Sequence, residues 1–196
     1  MVQLLSTEQM AEFANSGCLF FDGLIDNETN KEFLNDIGYT DIENVDNMQK
    51  YFQNIKASSS IPRIPAGTPL KNAYPHKSPL EKIFQNEVVA GAINSLVGSE
   101  AVVDHQFLHL TFPTKYFKKT NQRQMSQVNH QDSTIDPRIT FDIQLFYFPT
   151  DVTKEMGGTR YHPGTHLRIV NEMGIAKYQN IKAVSYTHLR AHETHP

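Results

Sequence analysis

The chain has little of what marks several large classes of protein. Its 196 residues include a single cysteine, Cys18, so an intrachain disulfide and a multi-thiolate metal site are both excluded. With no cross-link to infer, a reducing, cytoplasmic setting is the default expectation. No apolar run approaches the roughly 20 residues needed to span a bilayer, and no membrane partner is expected. The opening MVQLLSTEQM lacks a basic stretch followed by an apolar core, so no secretory signal is expected. Lys and Arg number 18 against 21 Asp and Glu, a formal net charge of -3, and no block of like charge breaks the mixture. A nucleic-acid partner is therefore not expected. Neither GxGxxG nor a Walker pattern occurs, and no internal repeat is visible. The lack of tryptophan decides nothing. What is present, 39% hydrophobic and 20% charged residues, is ordinary for a globular protein, and the length suits one domain with a real core.

The last residues are set aside before any motif is read. Residues 184–194, VSYTHLRAHET, match the translation of a common sequencing-library transposase adapter over eleven consecutive positions. Residues 1–183 are accordingly expected to be the native, incomplete domain, and 184–196 a non-native tail excluded from fold reasoning. The distinction matters because the tail holds three of the nine histidines, His188, His192 and His195.

In the native part, Ser6 or Thr7 can cap a helix over TEQMAEFANS, with Met10, Phe13 and Ala14 on one face and Gly17 ending it. CLFFDG reads as a short buried strand, followed by a second helix within ETNKEFLNDIGY. Residues 44–77 are polar and irregular, with four prolines between Pro62 and Pro75, and read as a lid or a packed loop near a site. Ser78-Pro79 is a strong helix start, and PLEKIFQNEVVAGAINSLV should run as one helix to Gly98. Beyond it AVVDHQFLHLTF and FDIQLFYF have strand texture, and TRYHPGTHLRIV looks like a strand pair broken at Pro163-Gly164. Helices first and strands afterwards predict an α+β fold whose second part is a barrel or jelly roll.

The sharpest chemical feature is His130-Gln131-Asp132. On extended backbone, residues i and i+2 share a face, so an imidazole and a carboxylate can reach one metal ion. Two histidines and a carboxylate on one face of an octahedron make the Fe(II) oxygenase site, with positions left open for co-substrate and oxygen. Alone, the tripeptide is weak. After it come DIQLFYF, an acidic D-V-T turn, Gly157-Gly158 and the P-G-T-H run ending at His166, in that order. This ordered combination resembles the phytanoyl-CoA dioxygenase (PhyH-like) family of Fe(II)- and 2-oxoglutarate-dependent oxygenases. The likeness is strongest over residues 128–168 and extends more loosely back to the TEQMAEF helix.

The resemblance implies a double-stranded β-helix of jelly-roll, cupin-like type with N-terminal buttressing helices, its late strands missing here. It implies that His130 and Asp132 are catalytic iron ligands. A third histidine, and an arginine pairing with the distal carboxylate of 2-oxoglutarate, should follow on a late strand beyond residue 183. His192 and Arg190 stand at tempting distances but belong to the tail and are rejected. Gln106 stands at a point where the family places a glutamine against 2-oxoglutarate; the alternative is a polar strand residue satisfied by its neighbours. His105 and His109 share a face with Val103 and Phe107 and read as packing residues. Gln144 and Phe146 share a face with Asp142 and are candidates to line the pocket, with a core role the safer reading of Phe146. His166 reads as a structural or ligand-orienting histidine, and His162 as facing solvent or the barrel rim. The glycine pair and Pro163-Gly164 read first as turns.

The expected function is oxygenation of a small-molecule substrate using Fe(II), O2 and 2-oxoglutarate as co-substrate. In related halogenases a small residue replaces the carboxylate, so Asp132 favours hydroxylation. The alternatives are a noncatalytic jelly-roll binding module and a 2-oxoglutarate-independent cupin metalloenzyme; the presence of both His130 and Asp132 speaks against a decayed site. Substrate identity and oligomeric state are not legible.

Overall fold

The computed structural model describes residues 2–39, 63–109, 142–153 and 158–166, with the backbone of 184–185. Its first helix, α1 (Thr7–Ser16), begins where expected. The Ser6 side chain accepts from the Gln9 amide and the Gln9 side chain accepts from the Ser6 amide, a reciprocal cap. Gly17 ends the helix at φ 80 with its amide on the Phe13 carbonyl. A side chain there would be strained.

α2 (Asn27–Asp36) is capped by Asp26, which accepts from the Thr29 amide at 2.8 Å and the Thr29 hydroxyl at 2.9 Å. Those bonds, the backbone one first, hold the Asp26 carboxyl below its usual pKa. CLFFDG, between the two helices, is not a strand. The Ser16 hydroxyl occupies both the amide and the carbonyl of Cys18, and the left-handed Gly17 turns the chain there. Local side-chain bonding has displaced the ladder.

The long helix after Ser78 is two helices: α3 (Pro79–Gln85) and α4 (Glu87–Leu96). Ser78 caps the first through the Glu81 amide and Pro79 opens it. Asn86 breaks the run at φ -55, ψ 131 and caps the second by accepting from the Val88 and Val89 amides. Its amide nitrogen also donates to the Leu24 carbonyl at 3.3 Å. Asparagine favours such local bonds over helix interior, and that is why the continuous apolar pattern does not give one helix.

α2 packs on α3, and α3 on α4. Phe33, Ile37, Ile83, Val89 and Ile93 lie in the core between them; each such side chain contributes about 1.5–3 kcal/mol on burial. The N-terminal segment lies across α4, with the Gln3 amide on the Glu87 carbonyl and the Leu5 amide on the Ser95 hydroxyl.

Among the described residues the chain forms two antiparallel strand pairs, and Val152 makes an isolated bridge. β1 (Thr68–Pro69) pairs with β2 (Val102–Val103) in the register Thr68↔Val103. β3 (Arg160–Tyr161) pairs with β4 (Val184–Ser185), the first two residues of the adapter-like tail. The β1–β2 ladder is short because Pro69 has no amide to donate and the chain then enters a 3-10 turn over Leu70–Asn72. Part of the irregular 44–77 stretch is thus a packed loop: Ala73 is buried and Tyr74 stacks on Phe84 at 4.8 Å. Burial raises the Tyr74 pKa. The helices-first order is observed, while the described residues of 142–150 form no ladder.

Candidate functional site

His130 and Asp132 lie outside the described residues, so the site is approached from the segments on either side of them. Residues 101–109 lead towards His130 and residues 142–150 lead away from Asp132. The first is paired with the loop before α3, the second is tied to α2, and the turn that ends in His166 docks on α1.

On the leading side, β2 is held by the Gly67 amide on the Val103 carbonyl at 2.8 Å and by the Leu70 amide on the Ala101 carbonyl at 2.9 Å. Val103 is buried. Beyond it Gln106 is half-buried, whereas His105 and His109 are exposed and flank a Phe107 that is 66% exposed. The His105 and Phe107 rings stack at 6.0 Å, and Phe107 meets His109 at 6.3 Å. The packing role read for these histidines is therefore corrected: alternation puts them on one face, but among the described residues that face stays open. His105 Nδ1 lies 2.7 Å from an Asp104 carboxylate oxygen.

The trailing side is fixed by Tyr147. Its hydroxyl donates to Asn30 Oδ1, and its ring meets Phe33 edge-on at 5.2 Å. Asn30, itself buried, donates to the Ile25 carbonyl at 3.2 Å. Burial, and then the Asp26 charge, push the Tyr147 phenol well above its usual range, so it is a neutral donor. Phe146 is 55% exposed, which corrects the core role read for it. Its ring lies parallel to Phe148 at 6.4 Å, so these two share the side that Tyr147 leaves. Gln144 is exposed as well.

The turn at Pro163-Gly164 docks on the end of α1. The Gly164 amide donates to the Ser16 carbonyl at 2.9 Å, and the buried Thr165 hydroxyl donates to the His162 carbonyl at 2.7 Å. His166 packs on Phe13, 6.0 Å between centroids, and hydrogen-bonds the Ala14 backbone. That is the structural role read for it. His162 does not simply face solvent: its Nδ1 is buried without a hydrogen-bond partner.

Asn30 and Tyr147 escaped the sequence reading. A usable signal was Asn30 three residues before Phe33, on the helix face that carries the core.

The donor chemistry of His130 and Asp132, one imidazole and one carboxylate two residues apart, fits two of the three ligands of an Fe(II) oxygenase centre. Among the described residues no group of three His, Cys, Asp or Glu side chains could hold a metal ion. No helix among them is long and apolar enough to cross a membrane.

The family model for phytanoyl-CoA dioxygenase (PhyH) matches residues 13–190, a range that contains every segment just described except the N-terminal arm and the part of α1 before Phe13. No curated protein and no solved structure matches the chain.

Proposed function

The chain belongs to the phytanoyl-CoA dioxygenase family, whose members are Fe(II)- and 2-oxoglutarate-dependent dioxygenases, and we propose that the whole protein hydroxylates a small organic metabolite. One observation carries the reading: His130-Gln131-Asp132 lies inside the matched range, in the order of surrounding motifs that the resemblance requires. The finer fold proposed is a double-stranded β-helix whose N-terminal helices buttress one sheet. The contacts of Tyr147 with Asn30 and of Gly164 with Ser16 support such buttressing.

In this proposal His130 and Asp132 hold the metal, and Gln106 contacts 2-oxoglutarate. Iron held by these two residues would supply the redox chemistry that converts a substrate C–H to C–OH, with O2 and 2-oxoglutarate as co-reactants and succinate and CO2 as products. The protein's share is orientation and exclusion of water. The Asp132 carboxylate would occupy the coordination position that a halide would otherwise need, which favours hydroxylation over halide transfer. We further propose that residues 184–196 are non-native, and that the third histidine and the 2-oxoglutarate arginine follow residue 183 in the uninterrupted gene. Residues 184–190 fall inside the family match, so this second proposal needs its own test.

Both are tested by reading the gene past Ala183 and expressing its product. A downstream histidine followed by arginine on strand-like sequence is expected in place of VSYTHLRAHET. With Fe(II) and 2-oxoglutarate, that product should release succinate, and the His130→Ala and Asp132→Ala variants should not. An intact product that binds Fe(II), yet neither responds spectrally to 2-oxoglutarate nor forms succinate, would establish the cupin-type alternative. A product that binds no metal would establish the noncatalytic one.

A further inference from the structure

The contact between His166 and the C-terminal end of α1 has a property that packing alone does not require. A Cβ built on Gly17 would stand 2.7 Å from the His166 Cβ and would run into the imidazole at Nδ1 and Cγ. The ring is therefore seated against bare backbone, in space available only because residue 17 is glycine. Its Nδ1 is buried and has no hydrogen-bond partner. With Nδ1 unpartnered, the hydrogen bond that the ring makes to the Ala14 backbone is assigned to Nε2 as donor. The docked imidazole is thus neutral, with one nitrogen satisfied and the other facing the chain at Gly17.

We propose that His166 is an acid-sensitive latch that holds the 160–166 turn on α1 while neutral and releases it when protonated. A second proton would have to sit on Nδ1, which is buried and has no hydrogen-bond partner. A buried donor without a partner is costly, and a charged one more so.

One effect opposes release. The carbonyl end of a helix favours a cation, and the Ala14 hydrogen bond does raise the His166 pKa. Burial outweighs it, and the net pKa is below the ordinary 6.5. The titratable groups on α1 are Glu8 and Glu12, with no basic residue in its last turn, and the turn itself adds His162 and Arg160. None of these charges enters the causes of the His166 shift.

The sign follows from linkage. The released ring, at about 6.5, takes its proton before the docked ring does. Docking is therefore fully present above pH 6.5 and weakens as pH falls towards and through the lower docked value. In that window the docking equilibrium falls by up to about tenfold per pH unit, one proton being taken up on release.

The turn reports its own docking, because the Gly164 amide is bonded to the Ser16 carbonyl. In the chain as it exists, hydrogen-exchange protection of Gly164, corrected for the intrinsic pH dependence of exchange, should be constant from pH 7.5 to 6.5 and then fall. Amides of α3 should hold their protection throughout. The His166→Gln variant keeps a donor but cannot titrate, so its Gly164 protection should be flat with pH. The readouts need no iron and no turnover, so they stand apart from the oxygenase reading. Three results overturn the proposal: a His166 resonance titrating above 6.5 in the parent chain, Gly164 protection that ignores pH there, or pH dependence surviving in His166→Gln, which would assign it to His162. If His166→Gln does not fold, the parent titration and exchange profile decide.

Discussion

The Tyr147 hydroxyl donates to Asn30 Oδ1 across 117 residues of sequence, tying the segment that follows Asp132 to the second turn of α2. The bond is buried on the Asn30 side and backed by the edge-on contact with Phe33. It sets which way that segment faces. With Tyr147 turned to the helices, Phe146 and Phe148 are left on the other side, where the jelly-roll interior would lie in the proposed fold.

Removing only the hydroxyl isolates the bond. Tyr147→Phe keeps the ring on Phe33 but strands Asn30 Oδ1, and an unsatisfied buried acceptor costs about 1–3 kcal/mol. Urea unfolding should show that loss as a lower midpoint with an unchanged slope. The phenol's raised pKa adds a pH signature. A group whose folded pKa is raised contributes stability below its ordinary value, here 10.0, and loses it as pH rises further. The parent should therefore lose stability above pH 10 more steeply than Tyr147→Phe. Equal slopes for the two would mean that the phenol is not held neutral.

Asn86 divides one apolar run into two helices, and its replacement tests whether the break is imposed locally. Asn86→Ala removes the side-chain acceptor for Val88 and Val89 and the donor to Leu24. Losing a cap of this type costs about 0.5–2 kcal/mol, and the added Leu24 bond places the expected loss in the upper half. Alanine also removes the local competitor of helix, so α3 and α4 should partly fuse. Thermal unfolding measures the first effect. A rise in helical circular dichroism alongside the lower midpoint would mark the second.

These cases show what was legible in the sequence. Caps at Ser6 and Ser78 could be read because a cap is written within a few residues: the side chain that makes it and the amide that receives it are neighbours. The His130–Asp132 spacing is local in the same way, though both residues lie outside the described ones. Asn86 sits inside an apolar pattern that outvotes one polar residue, so its competing bonds were missed. Tyr147 and Asn30 are far apart in sequence, and nothing near either announces the other. Exposure of Phe107 and Phe146 was misread because alternation tells which residues share a face but not what covers it. Gly17 was legible as a helix end, yet its contact with His166 depends on a turn almost 150 residues away.

Gly91 gives a prediction whose sign separates tertiary contact from propensity. In the middle of α4, alanine would normally be preferred to glycine by about 1 kcal/mol. Here an added Cβ would run into the Gln3 carbonyl, which belongs to the arm lying across the helix. Backbone cannot swing aside as a side chain can, and overpacking of this kind costs about 1–3 kcal/mol. Gly91→Ala should therefore destabilise, with loss of protection at the Gln3 and Leu5 amides. When residues 2–5 are deleted, the same substitution should become neutral or stabilising. A double-mutant cycle over arm and glycine gives that coupling directly.

Iron binding by this chain is the remaining discriminator, because it sets His192 against the third histidine proposed to lie downstream. A facial site lacking one of its three protein ligands should bind weakly, and imidazole affinity depends on the ligand being neutral. The whole chain and a version ending at Ala183 should therefore bind Fe(II) alike and weakly under anaerobic titration at pH 7.5. His130→Ala and Asp132→Ala should each lower that affinity further, since either leaves a single ligand. Tight one-to-one binding by the whole chain, lost when residues 184–196 are removed, would instead make His192 a genuine third ligand. Residues 184–190 would then have been matched to the family for a chemical reason. The substitution His192→Ala separates the cases within the intact chain: under the proposal it changes nothing, because the ring that completes the metal's coordination is encoded beyond the point where the adapter-like sequence begins.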